Sequence, residues 1–223
     1  MKHIIITGSE GLLGKEISNY LEKKHTVYKF SRSLDDDLTD EKYVKEIFRD
    51  TKADCLVNLF GLSNPVDSIH KQLSLFDISL DSVKEYLNLN TVSLFSVCRE
   101  FARNNKKGSI INISSIYSVN SPDPSLYDGN KHIGYCISKA GVVSLTKYLA
   151  VHLAPHFRVN CISPGGVQYK QPEEFIEKYS AKVPLKRMMN VNEINELVDF
   201  LCSDASSYCT GSNFIVDGGY TIW

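Results

Sequence analysis

No segment of the chain stays apolar for long enough to span a bilayer, and the N-terminal run HIIITG meets a glycine-rich turn well short of a secretion signal. An excess of either charge is also missing. The 25 Lys and Arg are interspersed with 26 Asp and Glu for a formal net charge of −1, which leaves no basic stripe for a nucleic acid and no membrane-seeking face. Among the six cysteines no Cys-x-x-Cys spacing occurs, and most lie in apolar segments. They read as reduced, packed thiols, so the expected setting is the cytoplasm. His152 and His156 have a metal-like spacing, but Pro155 interrupts the helix between them and no third ligand accompanies them; no metal is expected. With 223 residues there is no room for a separate substrate domain, and residues 1–223 are read as one domain with a substantial core.

What is present is an alternation of short apolar runs and periodic segments. Such a chain implies an α/β fold, a doubly wound parallel sheet of Rossmann type in three α/β/α layers, with its ligand beyond the carboxyl ends of the strands. The run from Lys107 to Gly166 organises it: the strand KGSIINISS, an insert, the helix YCISKAGVVSLTKYLAVHL, and then FRVNCISPGG. The strand delivers Ser115 to the ligand edge, and the helix carries Tyr135 and Lys139 one turn apart on one face.

At the N-terminus, strand His3–Thr7 leads through Gly8-Ser-Glu-Gly11-Leu12-Leu13-Gly14 into a helix. Glycines there let backbone N–H groups approach a pyrophosphate at the positive end of the helix. The second strand ends in Ser31-Arg32-Ser33, where an arginine suits a ribose 2′-phosphate better than a hydroxyl; the expected cofactor is NADP, with NAD possible. Asp35, Asp36 and Asp37 stand close enough to blunt that charge.

Three Tyr-x-x-x-Lys pairs occur, Tyr20/Lys24, Tyr127/Lys131 and Tyr135/Lys139. The first lies in a polar helix end and the second among loop formers, while the third opens a long helix after a Ser-ended strand. Ser115, Tyr135-Cys-Ile-Ser-Lys139, Arg158-Val-Asn-Cys-Ile-Ser-Pro164-Gly-Gly and Val216-Asp-Gly-Gly together resemble the short-chain dehydrogenases/reductases of the classical type. The resemblance covers nearly the whole chain. It implies a catalytic set of Asn90, Ser115, Tyr135 and Lys139, with Asn90 holding a water behind the lysine and Asn88 its competitor. It also implies cofactor contacts from Thr7 and the glycine turn, Ser31, Arg32 and Ser33, Asp37 and Leu38, Gly61, Tyr135 and Lys139, and Pro164, Gly165, Gly166 and Val167.

Departures from the family pattern are equally specific. The Thr7-Gly8-x-x-Gly11-x-x-Gly14 spacing resembles the extended branch that includes sugar-nucleotide epimerases and dehydratases, a second reading of the function. A third is a cofactor-binding homologue without turnover. The helix usual after the second strand is missing or reduced to a loop. Leu59 replaces an Asn that ties neighbouring strands, Phe60 is bulkier than the usual Ala, and Tyr169 stands where a Thr is usual.

The insert between Ser115 and Tyr135 is long, and with Gln168 to Lys178 it resembles a subgroup associated with flagellin modification and surface-polysaccharide synthesis. Ser115, Tyr117, Tyr127, Asn130, His132 and Tyr135 are expected to face the substrate. The implied reaction is reversible hydride transfer between nicotinamide and a carbonyl or secondary alcohol, with a sugar-like substrate the first expectation. Lys139, together with the charge of the oxidised nicotinamide, is expected to lower the pKa of Tyr135. A homodimer or homotetramer is expected through a helix spanning Ser82–Arg103 and another spanning Tyr135–His152, using Val92, Leu94, Phe95, Val97, Phe101, Val142, Val143, Leu145 and Leu149.

Overall fold

The computed structural model describes residues 1–63, 74–127 and 131–223; Pro65 and Asn130 lie outside them. Its six strands are β1 (His3–Thr7), β2 (Thr26–Phe30), β3 (Cys55–Asn58), β4 (Gly108–Ile113), β5 (Phe157–Pro164) and β6 (Asn213–Val216). All pair in parallel in the order β2-β1-β3-β4-β5-β6, which leaves β2 and β6 at the edges. The doubly wound sheet is as the sequence implies.

Because successive side chains point to opposite faces, a strand covered on both sides is apolar at most positions. In β1, Ile5 enters one core with Leu56, Ile110 and Val159, while Ile4 and Ile6 enter the other with Val57, Ile111 and Ile162. Helices α2 (Glu41–Asp50), α4 (Ser93–Asn104) and α5 (Ile133–His152) cover the first face through Phe48, Phe101 and Leu149. Helices α1 (Leu12–Leu21) and α7 (Asn195–Cys202) cover the second through Ile17, Leu21, Val198 and Leu201. A third, smaller core lies at the carboxyl end of the sheet, where Ile116, Tyr117 and Leu126 pack on Phe175, Tyr179, Met188 and Tyr220. Helix α6 (Glu173–Ala181) supplies its outer wall.

The connections follow local chemistry. Asp40 caps α2 by accepting from the backbone N–H groups of Lys42 and Tyr43. Between β2 and α2 only a short 3-10 turn, Arg32–Leu34, remains of the crossover helix, as expected. The segment read as one helix over Ser82–Arg103 is instead α3 (Leu80–Leu87), a π-helical turn Asn88–Val92, and α4. A single extra residue in the ladder does not disturb apolar periodicity enough to show in a sequence.

The strand tie expected to be lost at Leu59 is made by its neighbour. Thr7 Oγ1 donates to Asn58 Oδ1 at 2.8 Å, Asn58 Nδ2 to Asn112 Oδ1 at 2.9 Å, and Asn112 Nδ2 to Thr146 Oγ1 at 3.0 Å. This buried polar line joins β1, β3, β4 and α5. No helix among the described residues is long and apolar enough to cross a membrane.

Candidate active site

Strand β4 ends at Ile113 and hands the chain to Ser114 and Ser115. Ser114 Oγ donates to the Lys139 carbonyl at 2.8 Å, which pins α5 to the strand end. Ser115 starts a 3-10 turn, its Oγ accepting from the Tyr117 N–H at 3.2 Å. On α5, Lys139 Nζ donates to the Ile113 carbonyl at 3.0 Å and lies 5.8 Å from the centre of the Tyr135 ring. Ser115, Tyr135 and Lys139 thus meet at the carboxyl edge of the sheet, as expected.

Burial raises the pKa of Tyr135, and hydrogen bonds from the Ser115 and Ser63 hydroxyls pull the other way without reversing it. Burial brings the pKa of Lys139 down to about 8.

Asn90 and not Asn88 is the buried amide of the π turn. Its Oδ1 accepts from Leu62 N–H at 2.6 Å, and its Nδ2 donates to the Leu62 carbonyl at 3.1 Å and to Ser138 Oγ at 2.9 Å. One side chain therefore holds the segment after β3 against the turn that carries Tyr135 and Lys139. Gly61 permits this approach: a Cβ there would sit 3.0 Å from Asn90 Oδ1 and 3.6 Å from Lys139 Nζ.

These groups line a cleft of about 400 Å³ that runs from Gly11, Leu12, Leu13 and Gly14 past Gly61 and Ser115 to Pro164, Gly165, Gly166 and Val167. A second cavity of about 270 Å³ adjoins it at Gly11, Leu59 and Gly61 and is bounded by Gly8, Ser31, Arg32, Asp36, Asp37 and Leu38. The two fit the two halves of a dinucleotide. Gly8 has φ 71°, and a Cβ on Gly14 would lie 2.1 Å from the Gly8 carbonyl oxygen, so the turn closes only with glycine. Gly11 caps α1 without a side-chain hydrogen bond, which leaves the first N–H groups of the helix available to a phosphate.

Not every expected contact is placed at these cavities. Thr7 is fully buried in the polar line to Asn58, and Ser33 Oγ lies 3.4 Å from Ser31 Oγ, outside the lining of either cavity. Asp36 is turned inward, accepting from the Ser31 N–H at 2.7 Å and from the Tyr43 hydroxyl, while Asp37, held low chiefly by its hydrogen bonds from Thr39, also feels the charge of the exposed Arg32. His132 does not line the substrate cleft. It caps α5, its Nδ1 accepting from the Gly134 N–H at 3.0 Å, with Nε2 2.9 Å from Ser82 Oγ and its ring stacked on Tyr86. Tyr169 is exposed, and Gln171 takes its place at the cleft, donating to the Val167 carbonyl at 2.8 Å.

On the substrate side, Tyr117 and Tyr127 line the cleft with their hydroxyls 2.6 Å apart, beside Phe175 and Tyr179. Burial drives both phenols up, well beyond the reach of neutral pH. Lys131 also lines this wall, its Nζ 4.7 Å from the centre of the Tyr135 ring. Burial lowers its pKa to about 8, against a smaller upward pull from Cys136. The sequence reading did not single out Ser63, and it set Lys131 aside with Tyr127 as part of a loop pair.

Comparison with known proteins agrees with this geometry. Residues 12–221 match the family model described as enoyl-(acyl carrier protein) reductase. A 3-oxoacyl-[acyl-carrier-protein] reductase of Aquifex aeolicus is 30% identical over 97% of this chain and 86% of its own length. Post-translational flagellin modification protein A of Campylobacter coli is 32% identical over 77% of this chain and 69% of its own. A short-chain dehydrogenase of Leptospira borgpetersenii, solved with bound NAD+, is 34% identical and superimposes with a TM-score of 0.87, covering 99% of this chain and 92% of that one. The chain belongs to the short-chain dehydrogenase/reductase family, the NAD(P)-dependent oxidoreductases of alcohols and carbonyls.

Proposed function

We propose that the protein is an NADP-dependent carbonyl reductase or alcohol dehydrogenase acting on a polyhydroxylated, sugar-like substrate, with Ser115, Tyr135 and Lys139 as its catalytic residues and Asn90 as their positioning residue. One observation carries the reading: the Tyr135 phenol, bonded by Ser115 and backed by Lys139, stands in the same cleft as the uncapped glycine turn. The bound nicotinamide supplies or receives the hydride. The chain's own groups handle the proton and the oxygen. Tyr135 gives its proton to the carbonyl oxygen as the alcohol forms and takes it back in the reverse direction, while Ser115 holds that oxygen in place.

Arg32 supports NADP, since it borders the adenosine-side cavity while the nearest buried carboxylate points inward. The hydroxyl-bearing wall of Tyr117 and Tyr127 supports a polyhydroxylated substrate. Six free thiols suit a cytoplasmic setting. For assembly as a homodimer or homotetramer, the support is narrower than the sequence suggests, because Leu94, Val97, Phe101, Val142 and Leu149 are spent in the chain's own core. Val92, Phe95, Tyr148 and Val151 remain exposed on the π turn, α4 and α5, and light scattering showing a monomer at micromolar concentration would remove this part.

The test is an assay of sugar ketones and polyols with each nicotinamide. Turnover with NADPH above NADH is expected. A protein that binds both nicotinamides yet turns over no carbonyl or alcohol would be a non-catalytic homologue instead.

A further inference from the structure

We propose that Lys131 anchors an anionic group of the substrate, a carboxylate or a phosphate carried a few bonds from the reacting carbonyl. The inference rests on the oxidoreductase reading above and narrows its substrate class. Two ammonium groups approach the same catalytic ring: Lys139 Nζ at 5.8 Å and Lys131 Nζ at 4.7 Å from the centre of Tyr135. Their roles differ by position. Lys139 is tied into the fold by its bond to the Ile113 carbonyl, at the cofactor end of the cleft. Lys131 precedes α5 and enters from the substrate end, beside Tyr127, and it also borders the neighbouring cavity formed by Pro122, Pro124, Ile133 and Cys136.

The character of the cleft wall gives the sign of the ligand. Among the described residues lining it are two lysines and no Asp or Glu, and the remaining polar side chains are the hydroxyls of three serines and four tyrosines with the amide of Gln171. A wall of ammonium groups and neutral donors complements an anion and repels a cationic substrate. Lys131 is also withdrawn from bulk water, where a charge pair is screened less than on an open surface. The reach from Nζ to the Tyr135 ring places the anion and the reacting oxygen on one small molecule rather than at opposite ends of a long one.

The experiment compares wild type, Lys131→Met and Lys131→Arg with NADPH on two matched pairs, acetoacetate against ethyl acetoacetate and dihydroxyacetone phosphate against dihydroxyacetone. Wild type should favour the anionic member of at least one pair, and which pair responds separates carboxylate from phosphate. Lys131→Met should reduce that preference about tenfold or more, chiefly through KM, and Lys131→Arg should restore part of it. No preference in wild type, or equal losses for both members of a pair in Lys131→Met, would overturn the proposal; the latter would make Lys131 a positioning group for Tyr135. A second measurement does not depend on turnover: calorimetric titration of malonate and of inorganic phosphate into the NADP+-saturated protein. Binding by wild type that is lost in Lys131→Met is expected, and equal affinity or no binding in wild type would sink the anion site. If no ketone is reduced, the titration still judges Lys131 while the oxidoreductase reading fails alone.

Discussion

The two ends of the cleft are built from different materials. At the cofactor end the wall is largely backbone: Gly8, Gly11 and Gly14 in the first turn, Gly61 after β3, and Pro164, Gly165 and Gly166 after β5. At the substrate end it is side chain: Tyr117, Tyr127, Lys131, Gln171, Phe175 and Tyr179, drawn from two loops and α6. A backbone wall can be closed only by particular residues in a fixed order, whereas a side-chain wall can be rebuilt residue by residue. Substitutions at the first end should therefore cost binding and folding, and at the second turnover and choice of substrate.

The largest separation between the two is expected from Tyr135→Phe. Removing the proton-transfer oxygen should lower kcat by about 10²–10⁴-fold while the NADPH dissociation constant, read by fluorescence titration, stays nearly unchanged. Loss of cofactor binding in this variant would erase the contrast. Next comes Gly14→Ala, whose Cβ would press on the Gly8 carbonyl oxygen at 2.1 Å and on the Ser9 backbone at 2.8 Å. Relief requires a backbone shift, so a stability loss of about 1–3 kcal/mol by thermal melt and weaker NADPH binding should appear together. Arg32→Ala acts at the same end through a side chain. It should weaken NADPH by about tenfold or more and leave NADH nearly untouched, and equal loss for both nicotinamides would show that Arg32 does not read the 2′-phosphate. Smallest is Tyr127→Phe, which removes one partner of the 2.6 Å contact with Tyr117. A net hydrogen bond contributes about 0.5–1.5 kcal/mol, so a several-fold rise in KM with kcat held is expected. A kcat loss larger than that of Tyr135→Phe would exchange the roles of the two tyrosines.

This contrast also explains what the sequence discloses. The sheet and its order of elements are legible because each strand is a continuous apolar run between turn formers, and the glycine turn because only glycine permits its backbone. Tyr135 and Lys139 stand out among three equivalent pairs because a Ser-ended strand and a long helix flank them. Lys131 stays hidden for the opposite reason: a lysine after Asp128-Gly-Asn reads as a solvated loop charge, and nothing local reports which way its chain runs. His132 is misplaced in the same way, since residue type gives its bonding capacity but not that Ser82 and Gly134 consume it.

The shortened crossover after β2 has one more result. With only the turn Arg32–Leu34 before α2, the sheet ends at β2, and among the described residues no strand lies outside it. Its outer row of N–H and C=O groups is a template on which a second copy, or a partly unfolded one, could add a strand and begin a growing stack. Lys29, next to the last residue of that strand and paired with Glu22 at 2.7 Å, places a charge on the margin. A short strand bearing a lysine is a poor seed, so the edge left open by the lost outer layer is guarded against strand-by-strand stacking.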